Sequence, residues 1–192
     1  NNMREIKSRA WHRKPVPLKF DRDFMWLAGI VASDGSIIQN KIGKDYKIKI
    51  GNKDIELLKE CQKIFNKYGF NQKIYKSKDD FYNLECGSRL LSEMMLALGI
   101  KKGKEKSHNI EVSNILNKFP KKLFIPYIEG ILEGDGNINS RIRIFSASEN
   151  FVIGIHNMLN RIGIYNYFVE GEAKVSKLIK KINGNKIYCL YI

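Results

Sequence analysis

Two aspartates occupy matching places in this sequence, Asp34 and Asp135, 101 positions apart, each ending an apolar run in Asp-Gly: FMWLAGIVASDGS over 24–36 and IPYIEGILEGDGN over 125–137. Carboxylates brought into one site repel each other and titrate at raised pKa unless a cation lies between them. Oxygen donors completed by water suit Mg²⁺ best. A divalent ion between carboxylates and a phosphate oxygen activates water and stabilises the leaving oxygen, so the chemistry such a pair suggests is phosphodiester hydrolysis. A single Asp-Gly after a helix is an ordinary turn; repetition in matching surroundings favours the chemical reading. The histidines, His12, His108 and His156, and the cysteines, Cys61, Cys86 and Cys189, lack metal-ligand spacing. Any metal must therefore be held by carboxylates, and the cysteines are expected in the core.

The elements that carry the aspartates also repeat. The first run has small residues at Ala28, Gly29, Ala32 and Ser33, and the second has Gly130 and Gly134. Glycine in a helix interior costs about 1 kcal/mol relative to alanine, so its use in both runs implies close helix-on-helix packing. If the two helices pack on each other, Asp34 and Asp135 arrive together at one end.

After each Asp-Gly come two short strands, SIIQN and YKIKIGN in one half and NIN and RIRIFS in the other, with basic residues alternating against isoleucines. Residues 53–70 and 148–164 then show helical spacing and close on Gly69 and Gly163. Strands return as NQKIYKS and FYNLECG, and as YNYFVEG and KIYCLYI, while 88–98 is a further helix closing the first half. The expected fold is α+β: two pseudo-symmetric halves of helix-hairpin-helix-hairpin order, packed through the Asp-Gly helices, with antiparallel sheets forming a saddle. The expected divisions are a basic extension at 1–20, a first half at 21–98, a linker at 99–122 and a second half at 123–192.

The 192 residues carry 34 Lys plus Arg against 20 Asp plus Glu, a net charge of +14, with 43% hydrophobic residues. That apolar content supports a core and excludes disorder, while the surplus charge calls for a polyanionic partner. No apolar run reaches the roughly 18–20 residues of a membrane span and no signal peptide opens the sequence, which leads to the expectation of an intracellular protein, cytoplasmic or organellar.

LAGIVASDG (27–35) and IEGILEGDG (128–136) resemble the two motifs of the LAGLIDADG homing endonucleases in their single-chain form. The resemblance covers nearly the whole chain. It implies a monomeric, Mg²⁺-dependent (or Mn²⁺-dependent) site-specific endonuclease that cuts double-stranded DNA to 3′ overhangs and comes from an intron or intein. The eighth motif position implies metal-binding carboxylates at Asp34 and Asp135, and the seventh implies metal-facing carbonyls at Ser33 and Gly134. Lys106, in KEKSHN, resembles a basic residue that helps organise catalytic water. Asn52 resembles a polar residue shaping the water network, with Ser146 as its repeat-mate. The sequence departs at the sixth position, Ala32 and Glu133, where the family varies.

A two-stranded ribbon fits the major groove. From the alternation, the expected DNA contacts are Gln39, Asn40, Lys47, Lys49, Lys73, Tyr75, Asn139, Arg141 and Arg143. Because the halves differ, the target should be long and asymmetric. The rival readings are an intron RNA maturase on the same fold and a DNA-binding regulator. Two intact acids favour the enzyme, since a pure binder has no use for carboxylates beside phosphate.

Overall fold

The computed structural model describes residues 19–39, 46–77, 80–103, 106–138, 142–172 and 186–192, with backbone alone at 137, 138 and 172. Asn40, Asn139 and Arg141 lie outside the described residues.

The centre of the molecule is a helix pair. Helix α1 (Arg22–Ser33) begins where the Asp21 carboxylate accepts the Phe24 N–H at 2.9 Å, an N-cap that satisfies an otherwise orphaned donor. It is buried on almost every side, from Phe24 to Ala32 with the exception of Trp26. Its repeat, which becomes α6 (Lys121–Asp135) in chain order, packs along it. The contact is reciprocal. A methyl group added at Gly29 would overlap the Tyr127 carbonyl oxygen and lie 2.9 Å from Ile131 N; one added at Gly130 would overlap the Trp26 carbonyl oxygen and lie 3.0 Å from Ile30 N. The glycines are there because each backbone occupies the space of the other's side chain.

Each helix feeds a four-stranded antiparallel sheet. In the first half, β1 (Gly35–Gln39), β2 (Tyr46–Asn52), β3 (Ile74–Lys76) and β4 (Tyr82–Gly87) lie in the order β1-β2-β4-β3. In the second, β5 (Asn137–Ile138), β6 (Ile142–Ser146), β7 (Tyr167–Glu172) and β8 (Lys186–Tyr191) repeat this as β5-β6-β8-β7. The expected antiparallel sheets form as β2 pairs with β4, and β6 with β8, joining the hairpins of each half into one four-stranded sheet. The inner faces are apolar, with Ile37, Ile48, Ile50, Leu84, Ile144 and Leu190 all almost fully buried.

Helices α2 (Ile55–Lys67) and α7 (Glu149–Arg161) cover those faces. Asp54 caps the first and Ser148 the second. The following Gly69 and Gly163 take φ of 83° and 78°, the left-handed conformation that closes a helix and that glycine adopts without strain. Helix α3 (Arg89–Ala97), capped by Ser88, completes the first half. The joining segment carries two single-turn helices, α4 (Lys106–Asn109) and α5 (Asn114–Asn117). It is pinned by Ile100, Ile110 and Leu116, all buried, whereas Ile115 is exposed. All three cysteines are buried, as expected. No helix among the described residues is long and apolar enough to cross a membrane.

Candidate active site

Side-by-side packing of α1 and α6 brings their C-terminal ends together, and with them the two acids. Asp34 is the C-cap residue of α1, its N–H donating to the Ile30 carbonyl at 2.9 Å, and Asp135 is the last residue of α6. A methyl added at Gly134 would overlap the Ser33 hydroxyl and come to 3.5 Å of Asp34 Oδ2, so the seventh positions of the two motifs meet beside the first motif's acid. The carboxyl groups lie within hydrogen-bonding reach of one another.

The surroundings of the pair hold both acids above the usual carboxylate pKa. For Asp34 burial is the main cause, opposed by the Asn52 amide, which donates to Oδ2 at 2.6 Å, and by the charge of Lys106. For Asp135 burial is reinforced by the negative charge of Asp34 and opposed by Lys106. Asp135 nevertheless reaches solvent, so a ligand has access to the pair.

Lys106 is the buried cation of the site. Its Nζ lies 3.0, 2.8, 2.8 and 2.6 Å from the carbonyl oxygens of Val31, Ala32, Ser33 and Gly35, the unpaired C-terminal carbonyls of α1 and the start of β1. Burial lowers its pKa to about 8, against the opposing charges of Asp135 and Asp34. A cavity of about 120 Å³ adjoins it, lined among others by Ser33, Lys106, Asp135, Ser146 and Phe151.

Asn52 and Ser146 end β2 and β6 at equivalent places, and each accepts a backbone N–H two residues on, from Asp54 at 2.8 Å and Ser148 at 3.1 Å. Only Asn52 has an amide left over to reach an aspartate. The site is thus pseudo-symmetric in its acids and asymmetric in their support. Among the described residues no three His, Cys, Asp or Glu side chains converge. A bound cation would take the two carboxylates and fill its remaining positions with carbonyl, water or phosphate oxygen, which suits Mg²⁺.

Residues 21–99 match the family model described as a LAGLIDADG-like domain. The first part of this chain is thus similar to that family. The similarity in fold reaches into the second half: mesophilic variants of the homing endonuclease I-DmoI superimpose with TM-score 0.66 at 17% identity, covering 91% of this chain and 86% of that one. I-DmoI in complex with DNA and Ca gives the same TM-score and identity, over 91% and 84%. In sequence, the chain is 26% identical over 179 residues to a probable translation initiation factor IF-2 of Methanocaldococcus jannaschii, 91% of this chain and 14% of the relative. It is also 26% identical over 157 residues to the DNA-directed RNA polymerase subunit Rpo1C of the same organism, 79% of this chain and 17% of the relative. The chain thus spans less than a fifth of the length of these curated relatives.

Around the α1–α6 pair, the structure brings Asp34, Asp135, Ser33, Gly134, Lys106 and Asn52 together. The residues expected on the sheets are spread more widely. Lys47 and Lys49 point outward from β2, and both meet Glu85 of β4, at 2.6 and 3.8 Å; Tyr75 of β3 donates to the same carboxylate at 2.5 Å. Gln39 donates to the Tyr46 hydroxyl at 3.1 Å and accepts from Lys102 at 3.0 Å. Lys73 is exposed just before β3, and Arg143 lies in β6, 5.8 Å from the centre of the Phe145 ring. Sequence reasoning missed Glu85. The alternation in YNLECG gives its face, but only the β2–β4 register places it opposite Lys49.

Proposed function

We propose that this chain is a site-specific, divalent-metal-dependent DNA endonuclease that hydrolyses both strands of a long asymmetric duplex target. The observation that carries this reading is the meeting of Asp34 and Asp135 at one end of the α1–α6 pair, flanked by two sheets related by the repeat. A duplex laid across both outer faces puts its backbone at the acids between them. The net charge of +14 supports a polyanionic partner, and the structurally similar I-DmoI has been captured with DNA and Ca. A stretch like this one, found within an initiation factor and a polymerase subunit and forming a small part of each, also fits a portable insert, in keeping with an intron or intein origin.

In this reading Asp34 and Asp135 hold the cation beside the Gly134 carbonyl, whereas the Ser33 carbonyl, expected to face it too, accepts from Lys106 at 2.8 Å. When bound, the cation supplies charge neutralisation at the scissile phosphate and activation of water. The protein's own part is positioning. The Asn52 amide fixes the Asp34 carboxylate, and Lys106 fixes the last turn of α1 and keeps a positive charge behind the acids. The helix-to-helix contact at Gly29 and Gly130 sets their separation.

The test is cleavage of a randomised long-duplex library in Mg²⁺, beside Asp34→Asn, Asp135→Asn and an EDTA control. Breaks that share one site and vanish in all three controls are expected. Cleavage that persists in both variants removes the assignment of the acids, and binding without breaks removes the enzyme.

A further inference from the structure

The outer faces of the two sheets differ in chemistry although their strands match one for one. In the first sheet the central place opposite Lys49 is held by Glu85, and the cluster of Lys47, Lys49, Glu85 and Tyr75 is polar and charged. In the second sheet the corresponding place, opposite Arg143, is held by Tyr191. The Tyr191 ring stacks on Tyr167 of β7, with centroids 4.9 Å apart and planes within 9°. One pair further along, Phe145 and Val169 flank Cys189 on the same face. Phe145, Tyr167 and Val169 are 40%, 40% and 44% exposed, so apolar surface that would normally be covered faces outward.

We propose that the second sheet reads thymine methyl groups in the major groove, so that the half-site beneath it is thymine-rich while the half-site beneath the first sheet is read through hydrogen-bonding edges. This rests on the reading that one duplex lies across both sheets. The occupant follows from the chemistry. The major groove offers one apolar group to a protein, the thymine C5-methyl, and apolar side chains contact it. Val169 has no ring to stack on an unpaired base, and Tyr167 and Tyr191 already use one face each on one another, which favours a duplex edge over single-stranded bases. Arg143, at the rim of the apolar cluster, supplies charge toward the backbone or a guanine.

The experiment uses the full chain in Ca²⁺ to select binding duplexes from a randomised library. The best duplex is then remade with deoxyuridine for thymine, one half at a time, which removes only the methyl groups. The expected result is a thymine-rich half in which affinity falls about fourfold per contacted methyl, the value of one buried methylene-sized group, with no change from the same substitution in the other half. Val169→Ser removes both methyl groups at an exposed position, and it is expected to erase the uracil sensitivity of that half while leaving the melting temperature nearly unchanged. Phe145→Ser provides a second, independent substitution with the same expectation. Equal uracil effects in the two halves, no thymine bias, or sensitivity that survives both variants would overturn the inference while leaving DNA binding intact. Failure to select any duplex would overturn the DNA-binding reading with it, and tighter binding in a parallel selection from single-stranded RNA would overturn the inference and assign the aromatic face to base stacking.

Discussion

Lys106 Nζ lies 2.8 Å from the carbonyl oxygen of Ser33, the residue that immediately precedes the catalytic candidate Asp34 in the chain. With three further carbonyls within 3.0 Å, the ammonium caps the negative end of α1 from a segment more than 70 residues downstream. The candidate active site is thus built on a helix terminus whose geometry depends on the segment joining the two halves.

Lys106→Met is expected to destabilise the protein by about 2 kcal/mol, since it leaves buried carbonyls unpaired, which for a chain of this size is a fall of roughly 4–8 °C in Tm. Arginine should not restore it, because a planar guanidinium cannot converge on four oxygens as an ammonium does. The pH dependence has a definite sign. The folded pKa is lowered to about 8 against an ordinary 10.5, so between those values the unfolded chain holds a proton the folded chain has lost. This group's contribution to stability therefore rises with pH across that window. Melting curves of wild type and Lys106→Met from pH 7.5 to 10.5 check this, and parallel curves would refute it.

Asp135→Asn should abolish cleavage and at the same time stabilise the metal-free protein. Burial and the charge of Asp34 both disfavour an ionised Asp135, so a neutral amide relieves the repulsion, by on the order of 1 kcal/mol or about 2–4 °C in Tm. Differential scanning calorimetry in EDTA at pH 7 decides it. A lower Tm would mean that the pair is not strained in the absence of metal.

Gly29→Ala and Gly130→Ala should each cost about 3 kcal/mol, measured by urea unfolding. The sign is opposite to the usual gain of about 1 kcal/mol for alanine in a helix, because the new methyl meets the backbone of the facing helix rather than a movable side chain.

Asn52→Ala removes the 2.6 Å hydrogen bond to Asp34 and leaves the Ser146 side untouched. Losing a group that orients a metal ligand commonly costs 10–100-fold, and the expected loss falls on one strand more than the other. Nicked duplex should accumulate, as read on a gel separating nicked from fully cut product. Uniform slowing of both strands would sink the idea of unequal half-sites.

Glu85→Gln should tighten non-specific duplex binding. Hydrogen bonding from Lys47 and Tyr75 holds Glu85 below the usual carboxylate range, so the acid is ionised and neutralises lysines that otherwise face phosphate. Its removal is expected to steepen the dependence of log affinity on log salt by about 0.9 for each additional phosphate that the freed lysines neutralise. An unchanged salt slope would show that these lysines do not face the DNA backbone.

Much of this protein was legible in its residues. The repeat of Asp-Gly runs with glycines a fixed distance apart, and the alternation of Lys47 and Lys49 with Ile48 and Ile50, determined the α+β class, the paired helices and the meeting of Asp34 with Asp135. These are properties of local periodicity, and a repeated chain carries them twice. Tertiary structure decided what depends on register and on distant segments. The joining of hairpins into sheets through β2–β4 and β6–β8 comes from burying one continuous apolar face under α2 and α7. Lys106 belongs to a basic, loop-like stretch in sequence, and only folding buries it against α1. Glu85 among the lysines and Tyr191 opposite Arg143 are facts of strand pairing, since a shift of one residue would turn each to the other face.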